Sequence, residues 1–91
     1  DLGYKKGAIE DYNQALRLNP NYAQAYHNRG IVRNDLGDKK GAIEDYNQAL
    51  RLNPNYAQAY GNRGIVRREL GNKKGAIEDY NQVLRLNPND A

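Results

Sequence analysis

The sequence repeats itself every 34 residues. Gly3–Pro20, Gly37–Pro54 and Gly71–Pro88 read GYKKGAIEDYNQALRLNP, GDKKGAIEDYNQALRLNP and GNKKGAIEDYNQVLRLNP, and between them Asn21–Leu36 and Asn55–Leu70 read NYAQAYHNRGIVRNDL and NYAQAYGNRGIVRREL. A fixed period of this length is the mark of stacked supersecondary units, each unable to bury its apolar side without a neighbour. Chains built this way usually bind other molecules rather than transform them. At 91 residues the whole is one domain, near the size at which a single core is only marginally sufficient.

Each unit divides at Gly and Pro into two helices. Asn21 and Asn55 are placed to cap a first helix, with Gln24 and Gln58 at its third position as a capping-box variant. That helix is expected to run to about Leu36 and Leu70, where Gly37 and Gly71 supply a left-handed stop. Asp38 and Asn72 then cap a second helix reaching about Leu52 and Leu86, and Asn-Pro ends it because Pro cannot continue the hydrogen bonding. The sequence therefore predicts about five helices: residues 1–22 as the second helix of a partial unit, then complete units over 23–56 and 57–90.

At about 100° per residue, Ala42, Ile43, Tyr46, Ala49 and Leu50 make one apolar stripe on the second helix. Ala8, Ile9, Tyr12, Ala15 and Leu16 repeat it, as do Ala76, Ile77, Tyr80, Val83 and Leu84. On the first helix Ala25, Tyr26, Gly30, Val32 and Leu36 share a side. Gly30 and Gly64 each cost a helix up to about 1 kcal/mol against Ala, which a close approach by a neighbouring helix offsets.

These residues resemble the tetratricopeptide repeat, whose signature is Trp-x2-Leu-Gly-x2-Tyr, then Ala-x3-Phe, then Pro. Tyr26 and Tyr60 stand at its first aromatic, Gly30 and Gly64 at its glycine, and Ala42–Tyr46 and Ala76–Tyr80 at its Ala-x3-aromatic pair, with Pro20, Pro54 and Pro88 closing the units. The resemblance implies an all-α fold, a right-handed superhelical α-solenoid of antiparallel helix pairs, acting as a non-enzymatic protein-interaction scaffold. Arg29 and Arg63 depart from it at the Leu, and Arg33 and Arg67 at the Tyr. These arginines fall within the arc that should be buried, where an unpaired charge costs several kcal/mol. Asp11, Asp45 and Asp79 flank the second-helix stripe and are the expected partners of Arg29 and Arg63.

Opposite the buried side of the first helix lie Gln24, His27, Ile31, Asn34 and Asp35, and in the next unit Gln58, Gly61, Ile65, Arg68 and Glu69. The resemblance implies that this face lines a concave groove for a protein or peptide partner. Ile31 and Ile65 are apolar positions on an otherwise polar face, as anchors would be. The complete units differ at only five aligned places, His27/Gly61, Asn34/Arg68, Asp35/Glu69, Asp38/Asn72 and Ala49/Val83, and three of these fall on the groove face. A constant frame with a varied face suits a binding scaffold, and drift on an exposed surface gives the same pattern. Family members that hold a chaperone's C-terminal carboxylate use Lys and Asn on one first helix, Asn on the next, and Lys and Arg on a third. Here His27 and Ile31 occupy the first two places and Asn62 alone matches, which argues against such a clamp.

A second surface is electrostatic. Lys39-Lys40 and Lys73-Lys74 recur at the starts of second helices, as do Lys5-Lys6, where free N–H groups and cations together can hold a phosphate. The net charge is only +3 with acidic residues interspersed, so nucleic acid is a disfavoured partner and a solvated edge the ordinary reading. The chain has no Cys, Ser or Thr, which removes thiol and hydroxyl nucleophiles. His27 is the sole histidine and reads as solvent-facing, so no metal, cofactor or catalytic residue is expected. No apolar run approaches the roughly 20 residues of a membrane span. The chain lacks Met and begins in mid-repeat, as a segment of a longer protein would. With a second helix at each end, apolar surface should stay open there and favour end-to-end contacts between copies.

Overall fold

The computed structural model describes residues 1–89. Five helices follow one another: α1 (Leu2–Leu18), α2 (Ala23–Asp35), α3 (Lys39–Leu52), α4 (Ala57–Glu69) and α5 (Lys73–Leu86). They stack in sequence order as a helical-repeat solenoid measuring 35 × 26 × 19 Å. The end of the second complete unit, expected at residue 90, lies outside the described residues.

Local chemistry sets most boundaries. Gly37 and Gly71 take φ of 90° and 89°, a region closed to most side chains. Each sits in a Schellman closure: Gly37 N–H donates to Asn34 O at 2.9 Å and Asp38 N–H to Arg33 O at 2.9 Å. Asp38 and Asn72 cap α3 and α5 as expected, accepting from Gly41 and Gly75 N–H at 2.9 Å. Helix α1 starts earlier than its copies because Asp1 caps it, accepting from Tyr4 N–H, so Gly3 is helical.

The expected caps at Asn21 and Asn55 do not form. Tyr22 and Tyr56 hold the cap positions without a side-chain bond. The reason is a competing local turn. Asn19 and Asn53 Oδ1 accept from the N–H two residues on, at 3.2 Å, so that Asn21 and Asn55 are spent inside an Asn-Pro-Asn turn. Gln24 and Gln58 accordingly complete no capping box.

Two clusters make the core. Ala49 and Leu50 of α3 meet Ala59 of α4, flanked by Tyr26, Tyr56 and Tyr60. Ala42 and Tyr46 meet Val66, flanked by Ile31 and Ile43. Both join α3 to the next unit, so α3 is buried from two sides. Gly30 explains itself here: a Cβ on it would lie 2.7 Å from Tyr46 Cε1 and 3.2 Å from Ala42 O. The same stripe on α5 is open, with Ile77 and Leu84 59% and 53% exposed.

The arginines are paired as their positions demanded. Asp45, almost fully buried, accepts from Arg29 Nε and Nη2 at 3.0 and 2.7 Å and from Arg33 Nη1 at 3.1 Å. Asp79 repeats this with Arg63 and Arg67. Arg29 Nη1 also donates to Asn13 Oδ1, and Arg63 Nη1 to Asn47 Oδ1, both at 2.8 Å, which ties each unit to the one before. Asp11, on the terminal α1, is exposed and in no ion pair among the described residues.

Candidate functional site

The outward face of α4 borders two adjoining clefts, one shared with α2 and one with α5. One, of about 220 Å³, is bounded by Ile31, Asn34 and Asp35 of α2, Tyr46 of α3, and Asn62 and Ile65 of α4. The other, of about 490 Å³, has Gln58, Gly61, Asn62 and Ile65 on one side and Tyr80 and Val83 of α5 on the other, with His27 at its edge. Asn62 and Ile65 belong to both, so the clefts form one continuous groove. Ile65 is 40% exposed, an apolar side chain standing in the groove.

Of the expected groove residues, His27, Ile31, Asn34, Asp35, Gln58 and Ile65 line these clefts. Gln24 is exposed and lines neither. Arg68 lies one turn beyond Ile65, beside a hollow of about 230 Å³ formed with Lys73, Ala76, Ile77 and Tyr80. Glu69 sits at the rim, where its Oε1 accepts from Lys39 Nζ at 2.9 Å, and the same ammonium donates to Asn34 Oδ1 at 3.2 Å. Lys39 is thus a strap between units, while Lys40, Lys73 and Lys74 of the basic edge are exposed.

His27 corrects the sequence reading: it is not solvent-facing but buried, at 6% exposure. A helical angle places it away from α3, yet α4 of the next unit folds over it. Tyr56 Oη lies 3.2 Å from its Nδ1 and Asn62 Nδ2 lies 2.9 Å from its Nε2, while its ring tilts over Tyr56 at 4.8 Å and Tyr46 at 5.8 Å. With the Asn62 amide donating, Nε2 accepts and Nδ1 carries the proton, so the imidazole is neutral. Burial pushes its pKa below the ordinary 6.5, against a smaller opposing effect of the Asn28 side chain. The unfolded chain therefore takes up this proton first, and stability falls as pH drops through about 6.5 until the folded value is reached. Urea unfolding at pH 7.5 and 5.5 should show this loss in the parent and a smaller one in His27→Gln.

Burial also raises the Tyr46 hydroxyl, to about 12, with the Asp35 and Asp45 charges adding to it. It stays protonated in the groove floor. Tyr46, Tyr80 and Val83 were missed because they come from second helices and count there as core. One signal was available: Gly61 faces Val83 Cγ2, 3.7 Å from where a Cβ would stand, so two of the five varied places touch and change together.

Comparison with known proteins agrees with this geometry. The sequence matches the profile of Tetratricopeptide repeat over residues 23–56 and 57–90, and that of TPR repeat over residues 1–37. The solved structure of the first TPR of Spaghetti (RPAP3) bound to the HSP90 peptide SRMEEVD has a TM-score of 0.92 at 32% identity, covering 98% of this chain and 71% of that one. A crystal structure of MamA gives 0.89 at 28% identity, covering 93% and 50%, and a second gives 0.84 at 29%, covering 90% and 45%. The chain spans about half the length of those MamA chains. No curated protein sequence matches it. The family profile falls in phase with the paired helices, Schellman stops and glycine contacts of both complete units, and the chain belongs to the tetratricopeptide repeat family.

Proposed function

We propose that the chain is a non-enzymatic interaction module that holds a segment of a protein partner in the groove between α2 and α4. The observation that carries this reading is Ile65, exposed in the floor where both clefts meet, with Ile31 half-buried across from it. Apolar anchors within a polar rim are the usual form of a peptide site. The relative solved with an HSP90 peptide supports a peptide as the class of ligand. Its mode of binding need not carry over. Where a carboxylate clamp places its first cation, this chain has His27, buried, neutral and already bonded to Tyr56 and Asn62.

A screen against a peptide library at two salt concentrations tests the proposal. Ile31→Asp/Ile65→Asp should lose peptide binding by at least about tenfold, equivalent to about 1.4 kcal/mol, with little response to salt. Replacement of Lys40, Lys73 and Lys74 by Glu should leave binding nearly intact. Steeply salt-dependent binding lost only in the lysine variant would instead assign function to the basic edge. The open Ile77 and Leu84 face of α5 supports a second reading, end-to-end association of copies. It predicts a mass that rises with concentration in sedimentation, and a constant monomer mass at high micromolar concentration rules it out.

A further inference from the structure

The cleft of about 220 Å³ between α2 and α4 lies inside the stack. Helix α2 packs on both α1 and α3, and α4 on both α3 and α5, so neither wall is an end face. Ile31 and Ile65 supply its apolar lining, and Tyr46 of the buried α3 its floor. Asn34, Asp35 and Asn62 supply the polar part. Two of these are partly spent. Asn34 Oδ1 accepts from Lys39, and Asn62 Nδ2 donates to His27 Nε2, which leaves Asn62 Oδ1 with no partner among the described residues.

Asp35 is the one charged side chain in this lining among the described residues. It ends α2, where the helix dipole disfavours an acid, and it is exposed with no cation within 4.0 Å among the described residues. Glu69 ends α4 at the matching place, and there Lys39 offsets the cost at 2.9 Å. Lys5 of α1 stands to Asp35 in sequence as Lys39 stands to Glu69, yet no pair forms. An aspartate is one methylene shorter than a glutamate and does not span that gap. The Asp35 charge is felt at the cleft floor instead: after burial, the larger cause, it helps to hold the Tyr46 hydroxyl up at about 12.

We propose that this cleft receives one lysine or arginine side chain of the partner peptide, its methylenes against Ile31 and Ile65 and its charged head on Asp35 and Asn62 Oδ1. Long cationic side chains lay their stems on apolar surface and keep the head at a polar edge. The ionised Asp35 only accepts, and a charge-assisted bond to it is stronger than a neutral one. An acidic peptide residue finds no free cation in this lining, because Lys39, bonded to Asn34, is already neutralised by Glu69. The net charge of +3 repels a basic run, so a single cation among neutral residues is the expected pattern. This deepens the groove reading and rests on it.

The test starts from an array of octapeptides with Lys, norleucine, Ala or Glu fixed at one central position and neutral residues elsewhere. The tightest Lys-centred peptide and its norleucine, Ala and Glu versions are labelled with fluorescein. They are titrated by anisotropy against the parent, Asp35→Asn, Ile65→Ala and Lys5→Ala. The parent should bind the Lys version about three- to fivefold tighter than norleucine, the scale of an exposed ion pair. Norleucine, which keeps the stem, should bind at least about fivefold tighter than Ala. Asp35→Asn should erase the Lys preference and leave norleucine affinity unchanged. It should not lower the melting temperature, because the carboxylate opposes the α2 dipole. Ile65→Ala should weaken the Lys and norleucine versions alike. Equal binding of Lys and norleucine by the parent, a Glu version as tight as Lys, or a Lys preference that survives in Asp35→Asn overturns the inference; loss in Ile65→Ala would then leave the groove reading standing. Tightening of the Lys version by about threefold or more in Lys5→Ala would make Lys5 the occupant of the carboxylate and overturn the inference as well. No loss in Ile65→Ala, or no peptide bound by the parent, overturns both.

Discussion

Asp45→Ala should cost the chain about 3 kcal/mol of stability, while Asp11→Ala at the equivalent place should change it by less than about 0.5 kcal/mol. Asp45 is the acceptor for both Arg29 and Arg33, and its removal leaves two guanidiniums facing a nearly dry site. Their side chains keep 16% and 27% exposure, so water relieves part of the penalty and the lower end of the range for a broken buried pair applies. Asp11 is exposed and pairs with nothing among the described residues, although the residues around it in sequence are the same. Urea denaturation of the two variants decides the matter. Similar losses would mean that the arginine clusters add nothing net. A triple replacement of Arg29, Arg33 and Asp45 by apolar residues should be far milder than Asp45→Ala alone, because it leaves no charge stranded.

Tyr46→Ala should lose about 3–5 kcal/mol, the largest single effect expected in the chain. Its ring is 2% exposed, belongs to the cluster with Ala42 and Val66, and lies against Gly30. Tyr12 and Tyr80 are only half-buried, so their replacement by Ala should cost roughly half as much. The contact with Gly30 gives a sharper test. Gly30→Ala alone places a Cβ 2.7 Å from the Tyr46 ring and should destabilise by about 1–2 kcal/mol despite the better helix propensity of Ala. In the Tyr46→Ala background only the Ala42 carbonyl oxygen, at 3.2 Å, still lies close to that Cβ, and the same substitution should turn from destabilising to mildly stabilising. That reversal of sign in a double-mutant cycle identifies the ring as the reason for the glycine. Additive losses would place the cause elsewhere.

What the sequence disclosed and what it hid follow one physical division. Gly37 and Gly71, Asp38 and Asn72 act within a few residues of themselves, and a local reading found them. The pairing of Arg29 and Arg63 was legible because charges of opposite sign recur at matched places in each unit. The failed caps at Asn21 and Asn55 were a contest between two local options, and the Asx turn begun by Asn19 and Asn53 won. His27 was misplaced for a different reason: a helical wheel shows one neighbour, and the burial comes from α4, a second one. The same limit applies to Ile77 and Leu84, which share their letters with Ile43 and Leu50 and differ only in what packs over them. Position in the stack, rather than residue type, sets their exposure. The groove floor at Tyr80 and Val83 stayed hidden because an apolar stripe on a second helix reads as core whether or not a cleft opens above it.

The claim that the groove between α2 and α4 is the binding surface is tested most directly by mapping backbone amide shifts of isotope-labelled protein as a library-selected peptide is added. The largest changes are predicted at His27–Asp35 and Gln58–Ile65, with smaller ones at Tyr80 and Val83 across the cleft. Changes confined to Lys40 and Lys73–Lys74, or to the Ile77 and Leu84 face of α5, would place the partner on another surface and contradict the account.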